Sequence, residues 1–318
     1  MNSFDFKEYF DFFPFRRIWG TKYRTASRHN NKKIYQNKKL KLRPHFSFRY
    51  SGITWHIDSS KGKAGEVNLI THAHSDHHGQ KNLENLNAIA SKETAKILEV
   101  CCSKKYRGKT FEIGETIKIN GVKIRTYPTY HMHGSSAFLF DNGVLITGDV
   151  KDYRKLPKCK VLVTEATYGS PEYNFEEEID KLRSVGSSTL GAYPIGKSQR
   201  VAKILLDEGY SVKVEGKAGK ICRELGIEVD DSGEITITSP KELYYRSGRK
   251  YILTAQNLYK IPKIVVSDHL NYSGILSMIE HCKPECVIIY HGNPGKELID
   301  EIRGLGCEVT LLNELIKL

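Results

Sequence analysis

The stretch EVNLITHAHSDHHGQ, residues 66–80, decides how the rest of the chain is read. It begins as a β-type apolar run and ends with four histidines and an aspartate within seven positions, 72–78. In an extended backbone, residues two apart project to the same side, so His72 and His74 point together. Asp76 and His77 are adjacent and aim at a second point a few ångströms away. One strand end can therefore serve two metal ions. Imidazole with carboxylate suits zinc and its first-row neighbours, and ion pairs about 3.5–4 Å apart recur in the hydrolysis of phosphate esters and amides.

Each zinc needs about four ligands, more than this stretch supplies. Further histidines and acids follow other apolar runs: His131 after VKIRTYPTY, Asp149 after VLITG, Glu165 after KVLVT, His269 after IVVSD and His291 after CVIIY. Side chains at neighbouring strand ends can converge, whereas histidines buried singly in mid-strand would carry a desolvation cost. A shared site explains the repeated placement better than separate core histidines do.

At 318 residues, 39% hydrophobic and 27% charged, the chain reads as a soluble globular protein with a large core, built as one elaborated domain or two joined ones. No apolar stretch approaches the roughly 18 residues of a membrane span, and the start lacks a secretory-signal pattern. Seven cysteines without a framework spacing point to reduced thiols, so a cytoplasmic protein without membrane association is expected. Cys282 and Cys286, with His281 in HCKPEC, lack the second ligand pair of a zinc knuckle and read as buried thiols.

The net charge of +12 is concentrated in residues 1–50, which hold 13 Lys/Arg against 3 Asp/Glu; the remainder holds 36 against 34. This head has no clear period from about Thr21 to Arg43. Both an arm approaching phosphates and a merely solvated extension fit it. From His45 the texture becomes short β-type runs with a helix near 92–101, suggesting antiparallel sheet with few helices. After KVLVTEATYG it turns to alternating helix and strand, with helices near 176–184, from 197, and near 218–225. That pattern builds a mostly parallel sheet, consistent with an inserted α/β domain.

With these motifs the sequence resembles the metallo-β-lactamase superfamily and, more narrowly, its β-CASP nucleases. THAHSDHHG matches the HxHxDH motif, HMHGSS the third-motif histidine, and TGD the bridging aspartate. TEATYG, SDHLNYSG and YHGNPGK agree in order and setting with β-CASP motifs A, B and C, and GAYPIGKSQR is similar to the opening of the β-CASP insertion in compact prokaryotic members. The resemblance implies an α/β fold, an αββα sandwich carrying a small inserted α/β domain. The charge distribution sets off a basic arm at 1–45, outside the resemblance, which implies catalytic parts at 46–169 and 263–318 and an insertion at 170–262. One metal would rest on His72, His74 and His131 and the other on Asp76, His77 and His291, with Asp149 bridging. The expected cofactors are two divalent ions, zinc ahead of manganese.

The reaction so implied is phosphodiester hydrolysis by a two-metal hydroxide mechanism, leaving 5′-phosphate and 3′-hydroxyl ends. Catalytic roles fall to Asp76, to His269 as proton donor and to Glu165 as the anion that orients it. Ser135, Lys197, Ser198 and Arg200 are candidate phosphate contacts. The expected partner is RNA or single-stranded DNA, with a homodimer left open. His291 at motif C tilts the choice to RNA, although compact DNA exonucleases, the ligase-associated type among them, also keep a histidine there. A small-molecule thioesterase or lactonase and a metal-dead nucleic-acid-binding paralogue are the competing classes. His56, His78 and His133 read as hydrogen-bonding neighbours of the ligands, and Asp58 resembles the family's early supporting aspartate. Tyr168, Tyr193 and Tyr272 are either base-stacking or core residues.

Overall fold

The computed structural model describes residues 11–12, 45–59 and 66–315. The arm expected at 1–45 therefore lies almost wholly outside the described residues. The first sheet takes its strands in chain order: β1 (Asp11–Phe12), β2 (Phe46–Tyr50), β3 (Ile53–Ile57), β4 (Val67–Leu69), β5 (Ala88–Ser91) and β6 (Lys109–Phe111). β2 and β3 form a hairpin through a turn at Ser51 and Gly52, both at positive φ. From β3 to β6 the strands are parallel, which differs from the antiparallel sheet expected of this region. The cause lies in the connections. Residues 70–87 form a long loop between β4 and β5, and α1 (Lys92–Cys102) crosses from β5 to β6, so neither link can fold back as a hairpin.

The second sheet contains β7 (Thr116–Ile119), β8 (Val122–Pro128), β9 (Ser136–Phe140), β10 (Val144–Ile146) and β11 (Val161–Ala166), and is completed at the other end of the chain. Between them come α2 (Ile179–Arg183), β12 (Ser188–Gly191), α3 (Lys197–Asp207), β13 (Val212–Val214), α4 (Gly216–Glu224), β14 (Ile235–Thr238), α5 (Pro240–Leu243), β15 (Lys250–Leu253) and β16 (Lys263–Ile264). These five strands form their own parallel sheet in the order β13-β14-β12-β15-β16. The chain then adds α6 (Tyr272–Cys282), β17 (Cys286–Gly292), α7 (Lys296–Gly304), β18 (Glu308–Leu311) and α8 (Leu312–Leu315), giving the second sheet the order β18-β17-β11-β10-β9-β8-β7.

Alternation in β2 and β3 sends Phe46, Phe48, Trp55 and Ile57 inward, where they meet Phe138, Phe140, Val163 and Ile288 of the second sheet. Each such side chain, fully buried, contributes about 1.5–3 kcal/mol. Trp55 meets Phe140 edge-to-face at 5.1 Å. On the outer side of the first sheet, Ile97 and Leu98 of α1 cover Ile70, Ala88 and Ala90. On the outer side of the second, Ile275 and Met278 of α6 and Leu298 and Ile302 of α7 cover Leu145, Leu162, Val287 and Ile289. The layers thus run helix, sheet, sheet, helix, in a mixed α/β architecture. β11 and β17 lie between two covered faces, which is why each opens on an apolar run without polar alternation, VLV and CVIIY. Cys282 and Cys286 are buried, as expected of thiols, and no cysteine belongs to a potential metal-holding group among the described residues. No described helix is long and apolar enough to cross a membrane.

α2 is shorter than the helix expected at 176–184 because Glu177 and Glu178 bond elsewhere. Glu178 N–H donates to Val265 O at 2.8 Å and its carboxylate accepts from Val265 N–H at 2.7 Å. Glu177 accepts from Ser267 N–H at 2.7 Å, Lys151 Nζ at 2.7 Å and both terminal nitrogens of Arg200 at 3.0 and 2.9 Å. These contacts clasp the segment leading into the third sheet to the one leading out.

Candidate metal centre

The ligand-type residues of the sequence come together where strands of the first two sheets end. His72 and His74 follow β4 directly, and Asp76 and His77 occupy the turn closed by a bond from His77 N–H to His74 O at 2.9 Å. His131 sits in the loop after β8, and Asp149 in the loop after β10, which Gly148 enters at φ +64. Glu165 and His291 are strand residues rather than followers of strands. They are register partners on β11 and β17, and a bulge between Thr164 and Glu165 re-aims the carboxylate. His269 lies five residues beyond β16.

Three groups result, each with one ligand atom per residue and all such atoms within 4.8 Å: His72, His74, His131 and Asp149; Asp76, His77 and His291; Asp149, Glu165 and His269. Asp149 Oδ2 stands 3.5 Å from His72 Nε2, 3.6 Å from His131 Nε2 and 3.5 Å from His77 Nε2, so it lies between the first two groups.

The fit to a cation follows from the remote ring nitrogens. His74 Nε2–H donates to Ile195 O at 3.1 Å, and His131 Nδ1–H to Asp268 O at 2.7 Å. Thr71 donates its hydroxyl to Asp58 at 2.8 Å and so accepts from His72 Nδ1–H at 3.0 Å. His77 Nδ1–H donates to Asp58 Oδ2 at 2.8 Å. Burial first, then neighbouring imidazoles, keep His72 and His131 well below the usual histidine range, and burial also lowers His74. In these neutral rings the nitrogen facing inward carries a lone pair. His74 Nδ1 nevertheless lies 3.1 Å from His72 Nε2 and 3.0 Å from His131 Nε2. Lone pairs so placed repel unless a cation sits among them, and ligands at about 2.0–2.1 Å from a tetrahedral ion lie about 3.3 Å apart. Each remote N–H is fixed by an oxygen, the arrangement that orients metal-binding histidines. His77 Nε2 and Asp149 Oδ1 are buried without a hydrogen-bond partner. Burial alone would lower His77, but the carboxylates of Asp149 and Asp58 hold it well above its ordinary range.

Beside this centre, His269 Nδ1 lies 2.9 Å from each oxygen of Glu165. Glu165 is itself held by Val150 N–H at 2.8 Å and by the Thr167 hydroxyl. Burial opposes the charge on His269, but Glu165 outweighs it and the imidazole is pushed up to about 9.

The four residues expected at a phosphate each have side-chain donors engaged within the chain. Ser135 Oγ closes a turn by donating to Met132 O at 2.9 Å, Ser198 Oγ donates to Tyr193 O at 2.7 Å, and buried Lys197 donates to Val266 O at 2.9 Å. Arg200 is gripped by Glu177 and by Ser267 O at 2.8 Å. The turn at 193–196 acts through Ile195 O, which fixes His74. Tyr168 and Tyr272 are core residues at 6% exposure each, whereas Tyr193 is 49% exposed. His56 bonds Ser47 and Glu66 at 2.6 and 2.7 Å. Sequence reading missed the carbonyls of Ile195 and Asp268, for which side-chain chemistry holds no signal, and Glu177, one of three consecutive glutamates.

No protein-family profile matches the sequence. Among curated proteins it is similar to a "probable DNA ligase" of Opitutus terrae, 23% identical over 295 residues, a match covering 77% of this chain. The chain spans 28% of that relative's length. Among solved structures it is similar to a protein of unknown function from Enterococcus faecalis V583, with a TM-score of 0.60 at 14% identity, covering 84% of this chain and 94% of the other. That likeness is one of fold.

Proposed function

We propose that the chain is a metal-dependent phosphodiesterase of the metallo-β-lactamase superfamily, β-CASP type, that hydrolyses nucleic acid. Residues 46–169 and 263–318 would form its catalytic part and 170–262 its insertion. The observation that carries the reading is the set of three neutral imidazoles, His72, His74 and His131, each with its outer N–H tied to an oxygen and its inner nitrogen grouped with Asp149, beside a fourth ring, His77, whose Nε2 lies 3.5 Å from the same carboxylate. His72, His74, His131 and Asp149 would hold one divalent ion, and Asp149, Asp76, His77 and His291 a second, with zinc or manganese suited to the donors. When bound, such a pair supplies acidification of water toward neutral pH and stabilisation of negative charge at phosphorus. The chain's own part is to hold and deliver a proton. With Nδ1 held by Glu165, His269 stays protonated at neutral pH and presents Nε2–H to the leaving 3′ oxygen. The departing strand keeps a 3′-hydroxyl, and the other product a 5′-phosphate.

The relative's name supports DNA over RNA, so single-stranded DNA becomes the first substrate to test and RNA the second. The matching stretch is a minor part of that relative, and the activity in its name need not reside there. The test is incubation of metal-loaded protein with single-stranded DNA and RNA, each end-labelled at 5′ or 3′, beside Asp76→Ala. Shortened products that need Asp76 support the reading. Equal degradation by the variant, or none by either protein, overturns it.

A further inference from the structure

A cleft of about 620 Å³ is lined by Tyr130, Lys151, Asp152, Tyr153, Arg154 and Arg200. Its walls are chain neighbours of the ligands. Tyr130 precedes His131, and the N–H groups of Lys151 and Asp152 both donate to Thr129 O at 2.9 and 3.0 Å, tying the Asp149 loop to the His131 loop. Arg200, from α3, closes the third side. Lining residues contribute three cations against one carboxylate, together with two phenol rings.

Tyr130 is the second observation. It is 48% exposed and sits at φ +55, a conformation that costs a bulky residue on the order of 1 kcal/mol or more. The ring is thus an exposed part of the cleft lining, on the residue before His131, rather than folded into the core. Arg154 is the most accessible of the cations, its side chain 79% exposed, with Asp152 as partner. Lys151 and Arg200 are braced from behind by Glu177. An exposed aromatic face with cations around it is the chemistry that takes an unpaired base and its phosphate.

We propose that this cleft is a nucleotide subsite, holding the base of the unit next to the scissile bond against Tyr130 and its phosphate near Arg154. The inference rests on the phosphodiesterase reading and adds where the strand lies and why its bases must be unpaired.

Two substrates separate the two claims. Bis(p-nitrophenyl) phosphate reports on the metal centre, and a single-stranded oligonucleotide on centre and cleft together. In Arg154→Ala and Tyr130→Asn, a residue that tolerates positive φ, kcat/KM for the oligonucleotide relative to the small ester should fall about tenfold. Lys203→Ala, an exposed cation on α3 outside the cleft, should keep the wild-type ratio. Fluorescence anisotropy of a labelled oligothymidylate on chelator-treated protein should show the same weakening. A ratio and an affinity unchanged in both cleft variants would overturn the subsite. No hydrolysis of the small ester by wild-type protein would overturn the phosphodiesterase reading instead, while the anisotropy measurement still decides the cleft.

Discussion

At the residue scale, His269 and Gly148 make the sharpest claims. Glu165, 2.9 Å from His269 Nδ1, pushes the imidazole up to about 9 and so favours its donor form. His269→Asn in metal-loaded protein should lower kcat by about 10²–10³-fold with metal content and KM retained. Steady-state kinetics with metal analysis checks this, and undiminished turnover would remove the residue from the mechanism. At Gly148, φ is +64 and an added Cβ would lie 2.6 Å from Thr71 Cβ. Thr71 anchors both His72 and Asp58, so Gly148→Ala should destabilise the protein by about 2 kcal/mol or more and weaken metal retention, as measured by denaturant unfolding and dialysis. The ligand histidines were legible because a spacing of two places side chains on one side of an extended chain. The carbonyls that fix their tautomers were not, since every residue offers one and only the folded path selects Ile195 and Asp268.

At the element scale, the joint between the third sheet and the rest combines an apolar seam, where Ile221 of α4 packs with Ile97 and Leu98 of α1, with an ionic clasp. Glu177 is partly buried. Burial would raise its carboxyl, but Arg200 and Lys151 outweigh that and hold it down at about 2, below its ordinary 4.5. Because the folded value is depressed, the stabilisation is fully present above about pH 4.5 and is lost as pH falls through about 2. Glu177→Gln should cost on the order of 2 kcal/mol at pH 7, and that gap should narrow below pH 4.5 in urea unfolding followed across pH. A gap independent of pH would mean the clasp acts by shape alone. The same clasp explains why α2 starts later than its composition suggests, since the glutamates there pair with Val265, Ser267 and Arg200 instead of extending a helix. Strand direction was similarly hidden. Short apolar runs such as VNL and AIAS announce strands, but only the loop at 70–87 and the crossover of α1 make them parallel.

At the scale of the whole molecule, two sheets pressed face to face bring loops from distant parts of the chain to one place. Residues 72 to 291 contribute to a single cluster because β4, β8, β10, β11 and β17 deliver their ends, or the strand residues themselves, to it. Ligand identities could be anticipated from the apolar runs beside them, while the internal engagement of Lys197 and Arg200 could not, because it depends on how the third sheet docks. The most direct test is the metal content of wild-type protein and Asp149→Ala after dialysis against zinc, with circular dichroism confirming that both are folded. Asp149 lies between both ligand groups, so wild-type protein should retain about two ions per chain and Asp149→Ala at most about one. Wild-type protein that retains no metal above a chelator-treated blank, or a folded Asp149→Ala that retains as much as wild type, would contradict the shared centre.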